Sequence, residues 1–215
     1  MNRARRYENM GLIYLVPWMI GFLVFQLFPL LYSLFLSFHK YPLLGEPTFV
    51  GIGNYVRMVT SDPDFMQSIR VTFLYVLMAV PTKVLFALVV ALLSNMSVRG
   101  VSAFRVLFYL PSIFGSSVAI AILWRSMFMQ RGLVNNLLLG VGLSAQPWLT
   151  STTLALPVVV SLQVWQFGSS MVIFLAGLKQ IPKDYYDSAR IDGASPWQML
   201  LRVTLPLLTP MLFFN

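Results

Sequence analysis

Apolar residues come in long runs, and the polar and charged positions gather between them. No charged residue occurs from Gly11 to Phe38, a window longer than the roughly 20 residues a helix needs to cross bilayer hydrocarbon. Further apolar runs cover Val71–Ser94, Val106–Trp124 and about Thr153–Leu178, and another starts near Leu205. The pattern predicts an all-α fold, a polytopic membrane helix bundle with spans at 11–38, 71–94, 106–124 and 153–178 and a fifth from 205. Ten residues follow Leu205 (215 − 205), about 15 Å of helix. The fifth span is therefore expected to be truncated, with 1–215 forming a single transmembrane domain that is a fragment of a longer one. Pro17 and Pro29 are expected to kink the first span without breaking it, because neighbouring groups satisfy freed carbonyls in lipid.

Composition sharpens the class. Charged residues make up 10% of the chain and hydrophobic ones 58%, against about 25% charged in soluble domains, so a water-soluble domain is excluded. Fifteen Lys and Arg against seven Asp and Glu give +8. So few charges suit an anionic lipid surface better than a nucleic-acid groove. Membrane lipid is an expected partner and nucleic acid is not. Arg3, Arg5, Arg6, Arg99, Arg105, Lys179, Lys183, Arg190 and Arg202 fall on one side of the predicted spans. By the positive-inside rule that side, with the N-terminus, is cytoplasmic. The outer loops are then 39–70 and 125–152, rich in Gly and Pro and expected to be mostly irregular with short helices. Leu133, Leu137 and Val141 predict one such helix at the outer interface.

Catalytic chemistry is not visible. The chain has no cysteine and one histidine, His39, which excludes disulfides, thiolate metal sites and a His-based metal cluster. It carries no Gly-x4-Gly-Lys-Ser/Thr loop, no His-Glu-x2-His helix and no Gly-x-Ser-x-Gly elbow. No catalytic or metal-binding residue is assigned, no cofactor is expected on this chain, and an enzyme is not expected. A filter loop of the Thr-Val-Gly-Tyr-Gly type is also absent, which weakens an ion-channel reading.

Within the spans, Lys83 is the one deeply placed charge. A central lysine costs about 2.5–3.5 kcal/mol on insertion scales, so it either binds carbonyls freed by Pro81 or lines a solute path. Gln163, Gln166 and Ser170 recur at i, i+3 and i+7, with Trp165 and Ser169 beside them. A sugar needs such a hydrogen-bonding face next to an aromatic, and interhelical hydrogen bonding is the alternative use. Ser112, Gly115, Ser116 and Ala119 have the small-x3-small spacing of closely packed helices.

The segment 179–206 encodes two short helices. Pro182 suits a first helical position, Gly193 a position of positive φ after the first helix, and Ser195 with Pro196 an N-cap and N1. Pro206 is expected to end or kink the second helix. Tyr185, Tyr186, Ile191 and Trp197 supply docking side chains, and the small Ser188 and Ala189 allow close approach of a partner.

Here the chain resembles the inner-membrane permease subunits of binding-protein-dependent ABC importers. Their signature, Glu-Ala-Ala-x3-Gly followed after about nine residues by Ile-x-Leu-Pro, is matched by Asp187-Ser188-Ala189 through Gly193 and by Val203-Thr204-Leu205-Pro206. Asp187 replaces the Glu and Ser188 the first Ala. The longer form Ile-Pro-x4-Asp-Ser-Ala-x-Ile-Asp-Gly-Ala, with Phe49 to Tyr55 and Leu175-Ala176-Gly177-Leu178, resembles the carbohydrate branch of maltose-type and glycerol-phosphate-type permeases. The resemblance implies six helices and a bacterial or archaeal inner-membrane location. It also implies a second, homologous or identical permease, two ATPase subunits using ATP and Mg, an extracytoplasmic solute-binding protein and a sugar substrate. Asp187, Ser188, Ala189, Arg190, Asp192, Gly193, Trp197 and Pro206 would form the loop that couples to the ATPase. Lys83, Gln163, Trp165, Gln166 and Ser170 would border the substrate path. An importer of amino acids, peptides or phosphate, or a membrane protein outside the ABC class, is the alternative.

Overall fold

The computed structural model describes residues 13–42, 45–96, 100–115 and 117–215, which are mostly helical. Arg3, Arg5, Arg6, Arg99, Ser116 and the first two residues of the expected 11–38 span lie outside the described residues. The chain divides into two compact units, Met1–Arg70 and Val71–Asn215.

In the first unit, α1 runs over Ile13–Ser37, and none of its described residues is buried. It passes Pro29 without a break, as expected. Proline cannot donate a hydrogen bond, and its ring strikes the carbonyl four residues earlier. The turn Leu23–Leu27 relieves this by widening to a π turn, in which the Phe28 amide donates to the Leu23 carbonyl five residues back.

Beyond α1 the loop is more ordered than its Gly and Pro content predicts. Strand β1 (His39–Lys40) pairs antiparallel with β2 (Thr48–Phe49), His39 opposite Phe49, and α2 covers Gly53–Thr60. Asn54 Nδ2 donates to the Ser37 and His39 carbonyls, each at 2.9 Å, and the Tyr55 hydroxyl donates to Ser37 Oγ at 2.7 Å. These bonds fold the loop back onto the C-terminal end of α1, where the first orphan carbonyls need partners.

Helix α3 spans Pro63–Ser94 and so begins earlier than the expected 71–94. The Asp62 carboxylate accepts the Asp64 and Phe65 amides at 3.0 and 3.3 Å, an N-cap followed by proline at N1. At the other end, the Arg105 guanidinium donates to the Ser94 carbonyl, placing a cation at the negative pole of the helix.

The structure breaks the helix in the third and fourth expected spans. In place of one helix over 106–124 there are α4 (Val101–Phe114) and α5 (Val118–Met127), bent by 103°. The Ser117 hydroxyl starts α5 afresh by accepting the Ile120 amide. In place of 153–178 there are α7 (Ala155–Trp165) and α8 (Gly168–Gln180), bent by 46°. Between the two pairs in the sequence lies α6 (Leu133–Gly140), a helix expected in the 125–152 loop. After α8 come α9 (Lys183–Ile191) and α10 (Pro196–Phe214).

Pro206, expected to end or kink the second helix, does not end α10. A second π turn, Leu200–Thr204, precedes it, with the Leu205 amide on the Leu200 carbonyl. Of the described helices, α1, α3 and α10 are each long and apolar enough to cross a membrane, and the two bent pairs raise the number to five if each is one span.

The core of the second unit lies where α8 meets α3 and α10. It comprises Ala87, Leu88, Val90 and Ala91 of α3, Phe167, Met171, Phe174, Leu175 and Leu178 around α8, and Leu208 of α10. Gly177 is a notch for α10, since a Cβ there would sit 2.8 Å from Leu208 Cδ2.

Asn135 organises the loop after α5. It is fully buried. Its Nδ2 donates to the carbonyls of Gln130 and Gln146 at 3.1 and 3.0 Å. Its Oδ1 accepts the Gln146 amide and Trp148 Nε1 at 2.9 and 2.8 Å. Removing one buried partner costs about 1–3 kcal/mol per group left unpaired. Asn135→Ala is therefore expected to loosen residues 141–154 while leaving the membrane helices intact. Limited proteolysis of membrane vesicles should show faster cleavage in that loop with no change in membrane-embedded protein.

Candidate functional site

The helix breaks of α4/α5 and α7/α8 face each other, and the sequence-predicted polar residues join them. Gln166 closes α7 with φ −86° and ψ 31°, so the backbone there leaves its helical partners. Ser112 of α4 supplies the replacement. Its hydroxyl donates to the Gln166 carbonyl at 3.1 Å and accepts the Ser169 amide at 2.9 Å. The Gln166 side chain crosses back and donates from Nε2 to the Gly115 carbonyl at 3.1 Å. A Cβ at Gly115 would lie 2.2 Å from Gln166 Cδ, so the glycine is the space into which the glutamine fits. Gly168 allows equally close approach of the other break, since a Cβ there would meet the Phe108 carbonyl oxygen at 2.3 Å. Irregular backbone of this kind at membrane depth persists only where protein buries it or where it lines a wet cavity.

The predicted path residues are therefore not all alike. Gln166 is taken up by the joint with Gly115. Trp165 packs on Trp124 of α5, ring centroids 5.6 Å apart, and Ser170 is buried in α8. The break between α7 and α8 ends the regular spacing that put Gln163, Gln166 and Ser170 on one stripe. Gln163 and Lys83 are half-buried, and neither has a side-chain hydrogen bond among the described residues. The Pro81 neighbour that does bond to backbone is Thr82, whose hydroxyl donates to the Met78 carbonyl at 2.6 Å.

The second cluster is the segment after α8. Pro182 is the N-cap of α9, with φ −60° and ψ 140°, one position before the first helical residue expected of it. Helix α9 ends in a Schellman closure: the Gly193 amide donates to the Arg190 carbonyl at 3.0 Å and the Ala194 amide to the Ala189 carbonyl at 2.9 Å. Gly193 has φ +75°, the left-handed region that glycine enters without steric cost.

Ser195 and Gln198 then form a reciprocal capping box at the start of α10, with Pro196 at N1. The Tyr186 hydroxyl meets Thr204 Oγ1 at 3.0 Å and ties the two helices together. The turn is thus closed by backbone hydrogen bonds at the end of α9 and by side-chain-to-backbone bonds at the start of α10, and it holds outward Tyr185, Ile191 and Trp197, of which Ile191 is 87% exposed.

Asp187 and Arg190, both predicted to face a partner, form an exposed pair with each other at 2.8 Å. Such a pair contributes about 0–1 kcal/mol, so a partner can displace it cheaply. Asp192 is the C-cap of α9, Ser188 and Pro206 are exposed, and Ala189 is half-buried.

Sequence reasoning missed the Ser112 bridge, the Asn135 network and the Tyr186–Thr204 tie. In the sequence Ser112 stands out only for its small size, and its spacing to Gln166 holds no local signal. Replacing Gly115 by valine is expected to expel the Gln166 side chain and lower the unfolding temperature of the detergent-solubilised protein. Adding Gln166→Ala should restore much of that loss, because the collision is between these two side chains. Thermal unfolding of the single and double variants measures the recovery.

Comparison with known proteins adds independent findings. The family model described as binding-protein-dependent transport system inner membrane component matches residues 60–215. The chain is 47% identical over 216 residues to the probable ABC transporter permease protein YesP of Bacillus subtilis, covering all of this chain and 70% of that protein. It is 35% identical over 218 residues to the lactose transport system permease protein LacF of Rhizobium radiobacter, covering 98% of this chain and 71% of that protein. Its fold matches the crystal structure of a bacterial alginate ABC transporter in complex with alginate pentasaccharide-bound periplasmic protein. That match has a TM-score of 0.76 and 25% identity, over 99% of this chain and 72% of the other.

Proposed function

The chain belongs to the inner membrane components of binding-protein-dependent transport systems, and from that membership we propose that it is the permease subunit of an ATP-driven importer of sugars or oligosaccharides. The capped turn between α9 and α10 carries the reading. It is capped at both ends, it leaves Tyr185, Ile191 and Trp197 exposed, and it coincides with the signature residues Asp187 to Gly193. This segment is the coupling element that seats in a separate ATPase subunit, with Trp197 and Ile191 as its anchors. Two such ATPases, using ATP and Mg, drive the pair formed by this chain and a second permease, and an extracytoplasmic binding protein delivers the solute. The sugar class is supported by the relatives named for lactose and alginate transport. The N-terminus and the α9–α10 turn lie on the cytoplasmic side, α2 and α6 outside. Lys83, Gln163 and Trp165 border the solute path, with Gln166 and Ser170 holding its walls in register.

The absence of native cysteines makes topology directly measurable. Asn136→Cys is expected to react with an impermeant maleimide in intact cells and Ser188→Cys only after lysis, and the reverse pattern would overturn the orientation.

Coupling is tested at Gly193. A side chain in the left-handed region adds about 1–2 kcal/mol and redirects the start of α10. Gly193→Val should leave the subunit inserted yet abolish sugar uptake in reconstituted vesicles, with loss of the ATPase on co-purification. Trp197→Ala should weaken ATPase retention without altering insertion. Normal uptake in both variants would remove the coupling assignment.

A further inference from the structure

Between α5, the start of α7 and the loop at Pro147–Thr150 lies a cavity of about 600 Å³, within the roughly 300–1,000 Å³ range of small-molecule sites. None of the solute-path residues named so far lines it. We infer that this cavity is an outer subsite holding one sugar ring of the incoming carbohydrate, stacked on Trp124 and Trp148; the inference rests on the sugar-import reading.

Three observations carry it. First, the aromatic walls are fixed before any ligand arrives. Trp124 Nε1 donates to the Val158 carbonyl at 3.2 Å and Trp148 Nε1 to Asn135 Oδ1 at 2.8 Å. Each indole has thus spent its one donor on the protein and offers a held ring surface, which cuts the ordering cost of binding. Phe128 braces both, 5.7 Å from Trp124 and edge-on to Trp148 at 5.8 Å.

Second, the cavity is not uniformly apolar. Arg125, Gln130 and Thr150 line it, and Arg125 forms no ion pair among the described residues. An arginine, an amide and a hydroxyl beside aromatic faces fit a ring with one apolar face and hydroxyl or carboxylate groups on its edge. A lipid acyl chain would offer these exposed donors no acceptor, whereas a sugar's hydroxyl or carboxylate groups would.

Third, the cavity adjoins the candidate path. Trp124 forms its wall and also packs against Trp165, ring centroids 5.6 Å apart. A ring leaving the cavity along this pair arrives at the residue placed beside Gln163 and Gln166.

The test uses the assembled transporter with its ATPases and binding protein in proteoliposomes. Thr150→Cys introduces a single thiol into this chain at the cavity rim, and Thr60→Cys on α2 serves as the control. Lactose, maltose and an alginate trisaccharide are the probes, each first measured for ATP-driven uptake by the parent protein. For a transported sugar at about ten times its Kd, reaction of the Thr150→Cys thiol with a water-soluble methanethiosulfonate is expected to slow about tenfold by simple occupancy. Thr60→Cys should be unaffected. Val159→Trp, which fills the cavity, should raise the uptake KM more than it lowers kcat. Intact uptake with no protection at Thr150→Cys and an unchanged KM in Val159→Trp would overturn the subsite while sparing the transport reading. A thiol that reacts only with a lipid-soluble reagent would overturn it in favour of a bilayer-filled groove. Failure of the parent assembly to take up any of the sugars would overturn the sugar reading and the subsite with it.

Discussion

Wherever a membrane helix is interrupted, the released amides and carbonyls have to find partners inside the protein, since lipid supplies none. In this chain the hydroxyl of Ser112 meets two such needs at once, taking the Ser169 amide and giving its proton to the Gln166 carbonyl. Gln166 repeats the favour for the Gly115 carbonyl on the opposing helix pair. With these bonds in place α7 and α8 can bend without exposing bare backbone, and α8 can lie close enough to α4 for Gly168 to meet the Phe108 carbonyl. The core with α3 and α10 is assembled on the helix so placed. Small residues and hydrogen-bonding ones thus act together at one joint: the glycines set the distance and the polar side chains complete the backbone.

Much of the architecture was legible in the sequence. Apolar run length located the long apolar helices α1 and α3, because a continuous stretch of hydrocarbon-compatible residues has few other uses. The caps of 179–206 were legible too: Gly193, Ser195 and Pro196 each satisfy a requirement of local backbone geometry, and such requirements show in adjacent letters. The breaks inside the third and fourth spans were not legible. Pro111 and Gly115 are tolerated in straight membrane helices, and what makes a bend stable here is a contact between Ser112 and Gln166, far apart in the chain. The Asn135 network was hidden for the same reason, an asparagine in a loop giving no sign that it will be wholly buried.

The two candidate functional regions obey different physics. The α9–α10 turn owes its shape to local hydrogen bonds and leaves large apolar groups exposed, and exposed apolar patches mark surfaces that another surface covers. The polar joint among α4, α7 and α8 buries its groups and satisfies them within the chain. Both regions meet in α8, which begins beside Ser112 and ends at the Ile181–Pro182 entry to α9. Force applied at the turn has a short, packed helix through which to reach the joint.

The π turns that precede Pro29 and Pro206 have a consequence for chain length. Such a turn is a one-residue insertion absorbed without a loop, and each residue advances a helix by about 100°. Deleting one residue within Leu200–Thr204 would let the turn close as an ordinary α turn and leave the following residues facing as they do now, whereas a deletion in a plain α-helix would swing everything after it through that angle. The π turn thus holds the side of α10 that meets the Gly177 notch while accommodating an extra residue ahead of Pro206, a choice that hydrophobicity alone, nearly uniform around Leu205–Phe214, would not make.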